Sequence, residues 1–337
     1  MAKQKTMIVA GGGIVLLMMV LGGLVRDVEC EQIVSKWAGF HPVAEAQMQY
    51  MYKVKEAVEQ RVGGGIKIEM FPGGSLVKGR EMLEALRGSL IDCGFVIPGY
   101  YPAQLPLSYW GYLVPFGPTA DTMYSIIDEV RPIVEKEYEA NGLKLMELLP
   151  FRLEWYFNRA INLDEPDWSG MKLRPLGGLS EVMCKNLGAG AVSMSSTEAG
   201  VALSTKVIDG ILTSLNTYYH TGIYKSAIYA FVSKANYSLL NAYCFSLSRW
   251  NKLPKDIQNI LREEFTRVKH KWYVDYARNT DEKILNEVKS EGVEMMIPTR
   301  DQLKIWRKKM ASTWHVLPEK TGPGGKEYLD IVERYCK

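Results

Sequence analysis

Histidine and cysteine are scarce in this chain, with four of the former and five of the latter in 337 residues. His41, His220, His270 and His315 have no metal-ligand spacing, and Cys30, Cys93, Cys184, Cys244 and Cys336 are scattered, odd in number and without a C-x-x-C pair. A zinc site and a disulfide scaffold are thereby excluded, and buried free thiols are the expectation. No G-x-S-x-G elbow or dinucleotide fingerprint occurs. Gly322-Pro323-Gly324-Gly325-Lys326 fails as a phosphate loop because Glu327 replaces the Ser or Thr and no strand pattern precedes it. Neither sign of charge dominates: the net charge is +3, without the basic excess of a nucleic-acid binder. The chain is therefore expected to be no enzyme, with no cofactor, no metal and no nucleic-acid partner.

Long apolar runs are missing too, with one exception. Lys3 and Lys5 precede an uncharged apolar run over residues 7–25, which Arg26 ends. The run is longer than the roughly 7–15 residues of a signal-peptide core and falls among the roughly 17–25 of a spanning helix. No A-x-A-like site follows, so residues 1–29 read equally as a cleaved export signal or an uncleaved anchor. Glu29 is too bulky and charged for a lipid attachment at Cys30. The leading lysines keep that end in the cytoplasm. The body is then periplasmic, tethered to the inner membrane if the anchor stays.

What is present is α/β patterning. Pro42 opens a helical pattern to residue 61, stopped by Gly63-Gly64-Gly65; Ile66, Ile68 and Met70 then alternate with charged residues as a strand. A helix over 80–87 and a buried strand over 90–95 complete a βαβ-like unit. A tyrosine-bearing loop over 98–106, another over 115–118 and a helix over 120–141 follow. Further on, Arg174 closes the strand pattern 171–173 beside Gly177-Gly178, and strands are predicted over 191–194 and 207–212. Ser195 and Glu198 have capping-box spacing, starting a helix to about residue 205. Glu81, Ala85-Leu86 and Leu90-Ile91-Asp92 recur at equal spacing as Glu198, Ala202-Leu203 and Val207-Ile208-Asp209.

This points to an α/β, two-lobed periplasmic-binding-protein-like fold with a central cleft. No proline or glycine interrupts residues 255–291, where Ile257, Leu261, Phe265, Val268 and Trp272 form one stripe. One long helix spanning both lobes is expected, roughly 57 Å if straight. The expected partition is lobe I over 30–149 plus about 240–279, lobe II over 150–239 plus about 280–315, and a C-terminal segment over 316–337.

An arginine at a strand end is a fixed, always-charged fork suited to a carboxylate, so a binder of organic acids is the first functional reading. The chain also resembles a known family, through Gly64-Gly65-Ile66-Lys67-Ile68-Glu69 with Gly74-Ser75-Leu76, Glu84-Ala85-Leu86-Arg87-Gly88 with Ile91-Asp92, and Leu105-Pro106 with Pro115-Phe116. Pro150-Phe151-Arg152, Trp168-Ser169-Gly170-Met171-Lys172-Leu173-Arg174 and Ile208-Asp209-Gly210 continue it. These are similar, in order and spacing, to the DctP-type solute-binding proteins of tripartite ATP-independent periplasmic (TRAP) transporters.

The resemblance implies a receptor that closes on an organic acid and delivers it to ion-gradient-driven membrane subunits. It places Arg174 at the family's carboxylate clamp and Arg152 at its second arginine. Two departures matter. The family's Asp-Gly-Gln-Glu-Asn-Pro reads Asp209-Gly210-Ile211-Leu212-Thr213-Ser214, with Thr213 in place of the asparagine, and Ser196 replaces the usual aromatic. A monocarboxylate other than sialic acid, and not a four-carbon dicarboxylate, is the expected ligand, its tail resting on Tyr100, Tyr101, Tyr218 or Trp37.

Each candidate has a plainer alternative. Arg152 can pair with Glu154; Thr213, Ser214 and Asn216 can cap a turn; the tyrosines can be core. Two rival functions are an anchored ligand sensor, which neighbouring genes for membrane subunits would argue against, and an enzyme on the same fold, which steady substrate turnover would reveal.

Overall fold

Short runs of apolar and β-branched residues between glycine-bearing turns build two sheets, seen in a computed structural model that describes residues 32–107, 119–233, 236–314 and 323–336. The apolar N-terminal run read as an export segment, Cys30, the 115–118 loop, His315 and Gly322 lie outside the described residues. The chain runs β1 (Ile33–Ala38), α1 (Ala46–Val62), β2 (Ile66–Phe71), α2 (Met82–Arg87), β3 (Cys93–Val96), α3 (Ala120–Ala140) and β4 (Leu143–Phe151). It then forms β5 (Leu153–Phe157), β6 (Lys172–Arg174), α4 (Leu179–Asn186), β7 (Gly190–Ala191), α5 (Ser196–Ser204), β8 (Gly210–Ser214), α6 (Leu215–His220) and β9 (Tyr229–Phe231). Next come β10 (Leu239–Ser246), α7 (Leu247–Trp250) and α8 (Lys255–Val268), a π-helical turn Lys269–Tyr273, α9 (Val274–Ser290), β11 (Glu294–Met296), α10 (Arg300–Trp314) and α11 (Pro323–Cys336).

The first sheet has the order β2-β1-β3-β10-β4, and the second β11-β9-β5-β8-β6-β7. In the first, β1 is parallel to β2 and β3, while β10 runs antiparallel between β3 and β4; in the second, β8 is parallel to β6 and antiparallel to β5. Each sheet thus mixes a parallel βαβ part with a strand supplied across from the other half of the chain. Arg152 is the single residue between β4 and β5, at the point where the chain leaves the first sheet for the second.

The internal repeat has a structural cause. Ser89 and Lys206 leave α2 and α5 with φ of 57° and 59°, and the next residues, Leu90 and Val207, hydrogen-bond back to Ala85 and Ala202. Asp92 and Asp209 then accept the backbone N–H of Lys36 at 2.7 Å and of Lys172 at 2.8 Å. Each aspartate ties its chain to a backbone N–H of the neighbouring strand, and the strands expected from 90 and 207 begin only at Cys93 and Gly210. Leu90 and Val207 belong to the turns and are exposed. The strand expected over 191–194 is reduced to Gly190–Ala191, because the capping box at Ser195 claims the chain for α5.

The long helix forms, with a bend-permitting turn in its middle. Ile257, Leu261, Phe265 and Val268 are buried as the stripe requires; the side chain of Trp272 lies outside the described set. α8 packs on α1 of the first lobe and α9 on α6 of the second, with the π turn between them. A π turn loosens the regular ladder where a long helix must change direction. The three described cysteine thiols, Cys93, Cys184 and Cys244, are free and buried.

Core burial also leaves one acid exposed to a pH test. Glu137 in α3 accepts the Leu107 N–H at 2.9 Å, and burial pushes its carboxyl up to about 7. A folded-state pKa above the unfolded value gives stability that is complete below about pH 4 and lost as pH rises through 7. Glu137→Gln keeps the acceptor and removes the charge. Chemical denaturation should show a gain of about 1–3 kcal/mol at pH 8 that shrinks towards pH 5; an equal effect at both would contradict this.

Candidate functional site

The end of β6 puts Arg174 where the two lobes meet. Its register partner across the parallel ladder is Ile211 of β8, and β8 pairs on its other side with β5, setting Thr213 opposite Glu154. Paired residues share a sheet face, so the face that carries Arg174 also carries Thr213 and Glu154. The Arg174 side chain is wholly buried. Nε donates to the Met194 carbonyl at 2.9 Å, Nη1 to the Leu212 carbonyl at 2.9 Å, and Nη2 to the Tyr100 hydroxyl at 3.0 Å.

All three acceptors are neutral. A guanidinium has five N–H donors, so two remain, and no carboxylate stands in hydrogen-bonding reach among the described residues. Burial accordingly pulls the Arg174 pKa down, with the Arg80 charge adding to it, and the Tyr100 oxygen and the Glu198 carboxylate, which makes no hydrogen bond to it, only partly counter this. A buried cation without a counter-ion costs several kcal/mol unless an anion joins it.

Arg152 differs. Burial alone would lower its pKa, but the Glu154 carboxylate 3.1 Å from Nε more than reverses this; the guanidinium also donates to the Ser233 carbonyl at 2.9 Å. It therefore has an internal counter-ion.

Tyr100 belongs to the first lobe, in a short helical turn Pro98–Tyr100 after β3, so its bond to Arg174 crosses the lobe boundary. Arg80, also from the first lobe, lies 4.6 Å above the Tyr100 ring and reaches Ser193 Oγ and the Met194 carbonyl. Phe40, Lys78, Arg80, Ser195 and Glu198 line a groove of about 440 Å³ at this boundary. Ser196 is buried beside it at the start of α5, and its hydroxyl has no partner. Tyr100→Phe should weaken ligand binding about tenfold, a loss of ~1.5 kcal/mol for a hydrogen bond to a charged group, in titration calorimetry. An unaltered Kd would show that Tyr100 does not hold Arg174 in its working position.

The other candidates fall elsewhere. Trp37 is in the core of the first sheet, edge-on to Phe245, with its indole N–H on Ser35. Tyr218 stacks on Tyr156 at 3.6 Å and donates to the Ala227 carbonyl, inside the second core. Tyr101 donates to the Gly79 carbonyl and braces the loop before α2. Ser214 caps α6 through the Thr217 N–H, the turn-capping role set against ligand contact above. Asn216 spans the lobes, accepting the Ala46 N–H at 2.9 Å and donating to Tyr276 at 2.7 Å.

The sequence reading passed over His41 and Glu45. His41 Nδ1 sits 2.5 Å from Glu45 Oε2, which also accepts the Thr217 hydroxyl at 2.7 Å from the other lobe. Glu45 is the N-cap residue of α1 yet makes no capping bond, because its side chain is used across the boundary. The available signal was a His and a Glu four apart in the turn between the first strand and first helix.

Over residues 38–320 the chain matches DctP, the bacterial extracellular solute-binding proteins of family 7. It belongs to that family. A solute-binding protein of Albidiferax ferrireducens is 22% identical over 74% of this chain and 75% of its own. Among solved structures, a TRAP periplasmic solute-binding protein of Desulfovibrio salexigens with bound orotic acid superposes with TM-score 0.82 at 19% identity, covering 90% of this chain and 98% of that one. DctP7 of Bordetella pertussis, an extracytoplasmic solute receptor binding pyroglutamic acid, gives 0.80 at 17% identity, covering 90% and 99%. This DctP protein has the two-lobed periplasmic-binding fold of those structures and, as a member of family 7, is a bacterial extracellular solute-binding protein, not an enzyme.

Proposed function

We propose that this DctP protein binds an organic acid, a monocarboxylate in preference to other anions, by pairing the ligand carboxylate with Arg174, and that it delivers the ligand to TRAP membrane subunits. The observation that carries this reading is the wholly buried Arg174, whose partners are two carbonyls and a phenol. An incoming carboxylate supplies the missing charge in a water-poor site, where a two-pronged pair is strong. Bonds across the boundary from Tyr100, Arg80 and Asn216 form only when the lobes are together, so binding energy is converted into closure. The relatives fit this chemistry, since their ligands include orotic and pyroglutamic acids.

Arg152, already paired with Glu154, supports the ligand face without being its principal anion partner. The lobe partition and an inner-membrane tether through residues 1–29 belong to the same proposal. A thermal-shift screen of organic acids tests it: at least one monocarboxylate should raise the melting temperature by several degrees at a hundredfold excess over Kd, about 2.7 kcal/mol of linkage. A screen in which no acid does so would overturn the reading.

A further inference from the structure

A second buried polar pair, His41 and Glu45, stands at the lobe boundary on the first-lobe side. Starting at Arg174, contacts run round the lobe boundary in two directions. On the first-lobe side, Tyr100 receives Nη2, the Phe40 ring centre lies 6.2 Å from that of Tyr100, and the His41 ring centre 4.5 Å from that of Phe40. On the second-lobe side, Leu212 receives Nη1, and two residues on, Ser214 donates to the Thr217 hydroxyl at 2.9 Å, which donates to Glu45. Both paths end on the His41–Glu45 pair.

That pair keeps two atoms unused. His41 Nε2 and Glu45 Oε1 have no partner among the described residues, although both residues are at least 98% buried. Unsatisfied buried polar atoms are uncommon, and two on one pair at a lobe boundary mark a place for a ligand group. Their polarity follows from the bonds already made. Glu45 Oε2 accepts from Thr217, and a carboxylate cannot donate, so the Nδ1 proton sits on His41. In that tautomer of the neutral ring, Nε2 is an acceptor, as is Glu45 Oε1.

We infer that the His41–Glu45 pair selects organic acids carrying an N–H or O–H donor at the end remote from the carboxylate, and rejects acids whose remote end is a second carboxylate. The inference rests on Arg174 holding the first carboxylate. A remote carboxylate would meet two acceptors and no donor, one of them an acid in a buried setting, whereas a primary amide can donate to both and a hydroxyl to one. A site built to hydrogen-bond one ligand group discriminates strongly against its counterpart because its own buried atoms are then left unpaired.

Titration calorimetry with matched acids tests this: succinate against succinamate, and glutarate against glutaramate. In the natural protein the N–H member of at least one pair should bind ten or more times tighter than its counterpart. Glu45→Gln, which offers an N–H where an oxygen stood, should cancel or reverse that preference while leaving the ligand-free melting temperature within a few degrees. Equal affinities within every pair, or an unchanged preference in Glu45→Gln, would overturn the inference alone. Failure of all four acids to bind would overturn the Arg174 reading beneath it. If Glu45→Gln does not fold, the pairwise comparison in the natural protein still decides.

Discussion

Arg174→Ala should abolish the ligand-induced rise in melting temperature and weaken binding at least thirtyfold, while leaving the ligand-free fold intact. The reason is asymmetry between the two arginines. Glu154 pairs with Arg152 inside the protein, whereas no carboxylate among the described residues hydrogen-bonds Arg174, so on the proposed reading the ligand supplies it. Truncating one member of a buried, hydrogen-bonded charge pair costs about 2–5 kcal/mol, because the other member is left desolvated and alone. Thirtyfold corresponds to about 2 kcal/mol, the lower end of that range. Calorimetry on the variant, with circular dichroism to confirm the fold, measures it. A Kd within threefold of the natural protein would place the clamp elsewhere.

Gly177→Ala should act on closure itself. Gly177, in the turn after β6, has φ of 109°, and a Cβ there would stand 2.1 Å from the Gly99 carbonyl oxygen of the first lobe. Neither atom belongs to a flexible side chain, so the clash is relieved only by holding the lobes apart. The left-handed backbone adds about 1 kcal/mol or more for any residue with a Cβ. If the closed form falls to a small fraction of the population, the apparent Kd rises by the same factor. We expect at least a tenfold loss of affinity, with X-ray scattering showing no ligand-induced compaction. Full affinity with normal compaction would mean that this contact is not part of the closed state that binds.

Much of the fold was legible because its signals are local. The Ser195–Glu198 capping box needs only four residues, and the helix pattern of 255–291 is free of the two residues that break helices. Both appear, the first with reciprocal bonds and the second with its stripe buried. The strand starts were misplaced because the deciding bonds are not local: Asp92 reaches Lys36 and Asp209 reaches Lys172. No propensity of Leu90 or Val207, both good strand formers, reports that the chain is still turning there.

The same distinction divides the site. Arg174 was proposed from its strand-end position beside a glycine turn, and the structure buries its side chain at the lobe boundary. Arg152 was readable only as a choice between ligand and ion pair, and Glu154 occupies it. Trp37 and Tyr218 were named for an aromatic chemistry that serves a core as readily as a pocket, and the structure packs both into cores. His41 and Glu45 gain their meaning from Thr217, roughly half the chain away. A single sequence carries no trace of that meeting.

The most direct measurement is a crystal structure with a bound acid identified by the thermal-shift screen. The account predicts one ligand carboxylate within 3 Å of two Arg174 nitrogens, with Tyr100 still on Nη2 and the ligand excluded from bulk water. A ligand whose carboxylate lies on another cation, with Arg174 keeping only its carbonyl and phenol partners, would contradict it.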